Sequence, residues 1–118
     1  MTAYTISHRD TMERTGNWTL CRRSLDLASF GLAAVDIPPG ESIPEHDETA
    51  RDQEEVFVFL SGDGTMVLDG AEHDAPAGTF VRVAPHVLRT VRNRSDAPVS
   101  VLIASAPSHS GYEPMGWN

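Results

Sequence analysis

The sequence predicts an all-β chain of one domain, and three observations carry that prediction. The patterned segments are short and rich in Val, Ile, Phe and Thr. Gly, Pro, Asp or Ser punctuates them at close intervals, as in proteins built from many short strands. At 118 residues the chain holds one domain rather than two, because domains run to about 100–200 residues.

Taken in order, the first element is a short helix over Arg9–Thr15, with an extended segment as the alternative. Strands are then read at Trp18–Arg22 and Leu32–Ile37, where aromatic and β-branched residues favour a pleated, half-buried surface. "IPPG" (37–40) joins fixed proline φ to a permissive glycine, so it stops one strand and aims the next, Ser42–His46. In Glu55–Ser61, strand alternation puts Glu55, Phe57 and Phe59 on one face. "SGDG" (61–64) and "LDGAE" (68–72) carry Asp-Gly, which tolerates the positive φ of tight turns. They imply two hairpins in series through Gly64–Leu68 and Glu72–Ala75. "APAG" (75–78) punctuates again before Thr79–Ala84, Arg89–Asn93 and Val99–Ser105. Many short strands at this spacing close as a sandwich, a barrel or a jelly roll. The tail "SHSGYEPMGWN" (108–118) holds Tyr112, Met115 and Trp117, large groups expected to pack back over the barrel.

Composition narrows the function. With 40% apolar and 22% charged residues, the chain is an ordinary globular sequence. A net charge of −8 argues against nucleic acid, whose binding needs clustered cations against phosphates. All nine basic residues are arginine, so Schiff-base chemistry and lysine-based phosphate loops are excluded. Cys21 is the single cysteine, which excludes an intrachain disulfide and a clustered-cysteine metal site. Apolar runs such as "VFVFL" are far below the roughly 20 residues of a membrane helix. The polar N-terminus lacks the order of a secretory signal, so the expected location is the cytoplasm.

One stretch carries candidate chemistry. In "PEHDETARDQEEVF" (44–57), His46 and Glu48 can point one way, and Glu55 lies on the next long strand. If the strands pair antiparallel, the three side chains converge, and imidazole with carboxylate suits Fe, Mn, Ni, Zn or Co. Taken alone, the charge pattern favours a solvated acidic loop.

Wider spacing bears on that choice. Gly40, His46, Glu55 and Gly62 fall at motif distances, as do Gly78 and Asn93, with fifteen residues between Gly62 and Gly78. In this the chain from Gly40 onward resembles the cupin superfamily, in its compact microbial single-domain form. The resemblance implies a jelly-roll barrel, a double-stranded β-helix, as one domain over 1–118. Its barrel core is expected at about 30–106, with an N-terminal strand segment (1–29) and a C-terminal tail (107–118). It also implies a homodimer, with strands from 17–37 joining the partner.

Departures from the pattern shape the functional expectation. Glu48 stands where the family has its second metal histidine, and six residues separate it from Glu55, so "TARDQ" looks inserted. In the second motif Ala84 and His86 replace proline and glycine, and Arg89 stands in place of the last histidine ligand. Arginine stays protonated and offers no lone pair, so it is not a ligand. Two readings follow. In the first, the barrel binds a small, anionic molecule beside a degenerate metal site. Arg89 is then the anion fork or the partner of Glu55 or Glu48, with His46 and Glu55 beside it and Phe57 and Phe59 as apolar walls. In the second, His46, Glu48 and Glu55, with His86 as a further candidate, hold Fe, Mn, Ni or Zn in a dioxygenase, isomerase or decarboxylase type of enzyme. A third reading is an interaction module with a filled barrel. The reaction stays unassigned.

Overall fold

The computed structural model describes residues 3–118. Its strands in chain order are β1 (Arg14–Thr15), β2 (Trp18–Thr19), β3 (Gly31–Ile37), β4 (Gln53–Ser61), β5 (Asp63–Leu68), β6 (Ala71–Pro76), β7 (Phe80–Val83), β8 (Arg89–Arg92) and β9 (Val99–Pro107). They form a six-stranded sheet in the order β1-β2-β3-β9-β4-β7 and a three-stranded sheet in the order β6-β5-β8. The named pairings are antiparallel. This is the all-β, two-sheet architecture expected of a cupin barrel.

Turn chemistry accounts for the order. Asp69 and Gly70 both take positive φ, 49° and 81°, the left-handed pair whose twist matches the strands of a tight hairpin. It joins β5 to β6 in register from Asp63 opposite Pro76 to Leu68 opposite Ala71. On β4 burial alternates, so that Glu55, Phe57 and Phe59 face inward while Glu54 faces water. Phe57 and Phe59 from the large sheet meet Met66 and Val91 from the small one, so the core lies between the sheets. The ring of Phe59 lies over Gly64, where a β-carbon would come within 2.7 Å of it.

Several elements differ from the sequence expectation. The strand expected over Trp18–Arg22 ends at Thr19, and Cys21–Leu25 forms a helix, α1. Burial of Cys21 and a left-handed Asp26, whose N–H reaches the Arg22 and Arg23 carbonyls, favour this single turn over extension. The helix expected over Arg9–Thr15 is a 3-10 turn at Arg9–Thr11, with His8 Nδ1 accepting from the Asp10 N–H, followed by β1. Ser42–His46 runs beside β8 but only as isolated bridges, Ser42 to Arg92 and His46 to Arg89. Pro44 within it has no N–H for a ladder. The tail does not cover the barrel: Tyr112 is 67% exposed and Trp117 81%. No helix among the described residues is long and apolar enough to cross a membrane.

Candidate functional site

The site is assembled by backbone pairing before any side chain is considered. His46 and Arg89 exchange both backbone hydrogen bonds, at 3.1 and 2.8 Å, so the residues leading into the inserted segment lie directly opposite the head of β8. Glu55 sits on the inner face of β4, between Val83 of β7 and Ser105 of β9. Glu48 is fixed by its N–H, which donates to the Pro85 carbonyl at 2.9 Å. His46, Glu48 and Glu55 thereby bring one ligand atom each to within 4.8 Å of one another, a group that could hold a metal ion.

The tautomer of His46 follows from its neighbours. Nδ1 lies 3.0 Å from the Pro44 carbonyl, which can only accept, so Nδ1 carries a proton. Nε2 then faces Glu48 Oε1 at 3.2 Å and Glu55 Oε1 at 3.8 Å. A lone pair against two carboxylate oxygens is repulsive, so this junction calls for a shared proton, on the ring or on a carboxylate, or for a metal ion.

Arg89 supplies a permanent cation on the other side of Glu55. Its side chain has no exposed surface, and Nη1 donates to Glu55 Oε1 at 2.5 Å. Nε donates to the Val87 carbonyl at 2.9 Å and Nη2 to the Ala84 carbonyl at 2.7 Å. Each guanidinium nitrogen is thus engaged by the protein. Burial nevertheless raises the Glu55 pKa above the ordinary glutamate value; the Glu48 charge adds to the rise, and Arg89 opposes it. The Glu55 oxygen nearest His46 Nε2 is the same oxygen that Arg89 holds. The donor set thus offers a three-ligand face in which Glu55 is already hydrogen-bonded by Arg89, and a guanidinium stands at the last ligand position.

Above the group lies a cleft of about 690 Å³. Trp18, Leu20, Phe30, Leu32, Phe57 and Ile103 give it apolar walls, His46 and Glu55 reach it, and Arg22, Arg23 and Arg51 also line it. A broader groove of about 980 Å³ on the outer side, past Glu54 and the tail, contains none of the candidate site residues.

Of the residues proposed from sequence, His46, Glu48 and Glu55 come together. His86 is exposed and stands outside the group. Arg89, expected as an anion fork, lies beneath Glu55 and lines no part of the cleft, because Glu55 and three carbonyl oxygens occupy it. Phe57 is a cleft wall, whereas Phe59 lies in the core against Gly64, away from the cleft. The three cleft arginines went unnoticed in the sequence; Arg51 lies within the inserted stretch, and only that insertion hinted at it.

Known proteins share this fold. The family described as "Cupin domain" matches residues 33–105. An uncharacterized protein from Methanocaldococcus jannaschii is 27% identical over 79 residues, covering 67% of this chain and 62% of its own length. The chain thus spans less than two thirds of that relative. A cupin protein from Bacteroides fragilis superposes with a TM-score of 0.83 at 25% identity, covering 99% of this chain and 94% of that one. A cupin described as a sugar phosphate isomerase, from Silicibacter pomeroyi, superposes at 0.67 with 21% identity, over 79% of this chain and 61% of its own, which speaks to the fold alone. With the family match running from β3 almost to the end of β9 and the two-sheet barrel around it, the chain belongs to the cupin superfamily.

Proposed function

We propose that this cupin binds a small, anionic molecule in the cleft and that the Arg89–Glu55 pair stands in for a four-ligand metal centre. The observation that carries the reading is the wholly buried guanidinium donating to Glu55 Oε1 at 2.5 Å. A fixed charge at the last ligand position repels a divalent cation and satisfies the carboxylate that would bind it. The apolar walls and three arginines of the cleft support an amphiphilic anion as ligand.

The second reading, a metal-dependent cupin enzyme, is favoured by one observation: His46, its Nδ1 tethered to Pro44, turns Nε2 toward Glu48 and Glu55. A metal bound there would act as a Lewis acid or oxygen activator.

Elemental analysis after incubation with Fe, Mn, Ni and Zn, on the wild type and on His46→Ala, separates the two. The proposal expects substoichiometric metal in both proteins. Tight, stoichiometric metal that disappears in His46→Ala would establish the second reading instead.

A further inference from the structure

We propose that Arg51, carried by the inserted turn, is the residue that recognises the ligand's anionic group, and that the ligand is a small monocarboxylate with an apolar body. The inference rests on the reading of the cleft as a small-molecule site.

Three arginines line the cleft, and two of them have protein partners. Arg22 donates to the Leu27 carbonyl at 3.1 Å, and Arg23 pairs with Glu13 at 3.2 Å. Arg51 has no hydrogen-bond or ion-pair partner among the described residues, so its guanidinium fork is free for a carboxylate. Arg89, the other arginine close to the site, is already saturated.

The turn that carries Arg51 is built rather than loose. Thr49–Arg51 forms a 3-10 turn closed by a left-handed Asp52, φ 49°, whose N–H donates to the Thr49 carbonyl at 3.2 Å. It is pinned at both ends: the Glu48 N–H to Pro85 at 2.9 Å, and the Ser108 N–H to the Asp52 carbonyl at 2.8 Å. Asp47 Oδ1 accepts from the Thr49 N–H at 3.1 Å. A backbone held in this way lowers the ordering cost when Arg51 closes on a ligand.

Polarity across the cleft sets the ligand class. Arg51 is exposed at the outer rim, while Phe57 is fully buried at the inner wall. A bound molecule therefore turns its charged end outward to Arg51 and its apolar body inward to Phe57 and Ile103. Glu55 also reaches the cleft, and Glu48 is only partly buried beside it, so a second negative charge directed inward meets repulsion. A single carboxylate satisfies both constraints, and its two oxygens match the guanidinium fork.

The test titrates benzoate, phenylacetate and 3-phenylpropionate, each alongside its neutral amide, into the full chain and follows backbone amide shifts by NMR. The wild type is expected to bind at least one acid about tenfold more tightly than its amide, the size of one charge-assisted contact. Arg51→Gln is expected to bring that ratio to about one with amide binding unchanged, whereas Arg94→Gln, which breaks a surface pair with Glu72 outside the cleft, leaves the ratio intact. If Arg51→Gln keeps the preference for acid, or the wild type shows none, the assignment of Arg51 fails while the cleft remains a binding site. If neither acids nor amides shift cleft resonances in the wild type, the assignment and the reading beneath it fail together.

Discussion

Of the carboxylates that arginine holds in this barrel, Asp36 and Glu55 have acidities that move in opposite directions. Asp36, on the outer face of β3, meets Arg9 at 3.2 Å and Arg14 at 3.3 Å and accepts a short hydrogen bond from Ser100. Burial acts to raise its pKa, but the hydroxyl and the two guanidinium groups outweigh it and the pKa falls. Glu55 has one arginine, deeper burial and a second carboxylate beside it, and its pKa rises. Proximity to arginine therefore does not decide acidity; the balance of hydration against countercharge does. Asp36 is a clip that ties the N-terminal segment to the sheet. Glu55 is a stressed group, its charge disfavoured by burial and by Glu48.

The largest effect expected from breaking this contrast is at Glu55. Glu55→Ala leaves a fully buried guanidinium without its carboxylate, at a cost of about 3–5 kcal/mol, measured as the shift in the urea unfolding midpoint. A loss within experimental error of zero would mean that the Arg89 charge is neutralised elsewhere.

The next expectation concerns sign. The folded state binds the Glu55 proton more tightly than the unfolded chain does, so stability falls as pH rises through the raised Glu55 value and then levels off. For Asp36 the depressed folded value means that stability is present above the ordinary aspartate range and is lost as pH falls through the folded value. Glu55→Gln should flatten the first slope and Asp36→Asn the second, in thermal unfolding followed from acid to neutral pH. The groups facing Glu55 are Arg89, His46 and Glu48, and a slope that survives Glu55→Gln would show that Glu55 is not its source.

Smallest is the stability change on removing the outer clip. Arg9 and Arg14 are 45% and 41% exposed, so Asp36→Asn is expected to lower stability by less than about 1 kcal/mol, with the difference shrinking in high salt. A loss as large as that of Glu55→Ala, insensitive to salt, would erase the distinction between the two sites.

Much of this architecture was legible in the sequence because it rests on local chemistry. Asp69–Gly70 needs positive φ, and the alternation of Glu55, Phe57 and Phe59 has one solution on a strand with a buried face. The motif spacing placed His46 and Glu55 together, and the lack of a lone pair on arginine indicated what Arg89 could not do. Legibility ended where distant contacts decide. Whether Cys21–Leu25 coils or extends depends on what Cys21 is buried against, and β-favouring Trp18 and Thr19 beside it gave the wrong impression. The tail's large side chains suggest packing, yet Tyr112, Met115 and Trp117 stay mostly exposed. Arg51 was hidden because an insertion has no spacing rule; its position is set by Pro85 and Ser108, far away in the chain.

The sheet order has a consequence for behaviour in a crowded solution. A long, flat, unpaired strand is a template on which other chains aggregate. Here the free edges of the large sheet are β1, of two residues, and β7, of four, with Arg82 on the latter. In the small sheet, β6 presents Glu72, His73 and Asp74 before stopping at Pro76, and Ser42–His46 covers part of β8. Each border is too short, too charged or already shielded, so the barrel resists edge-to-edge stacking without closing its sheets into a continuous ring.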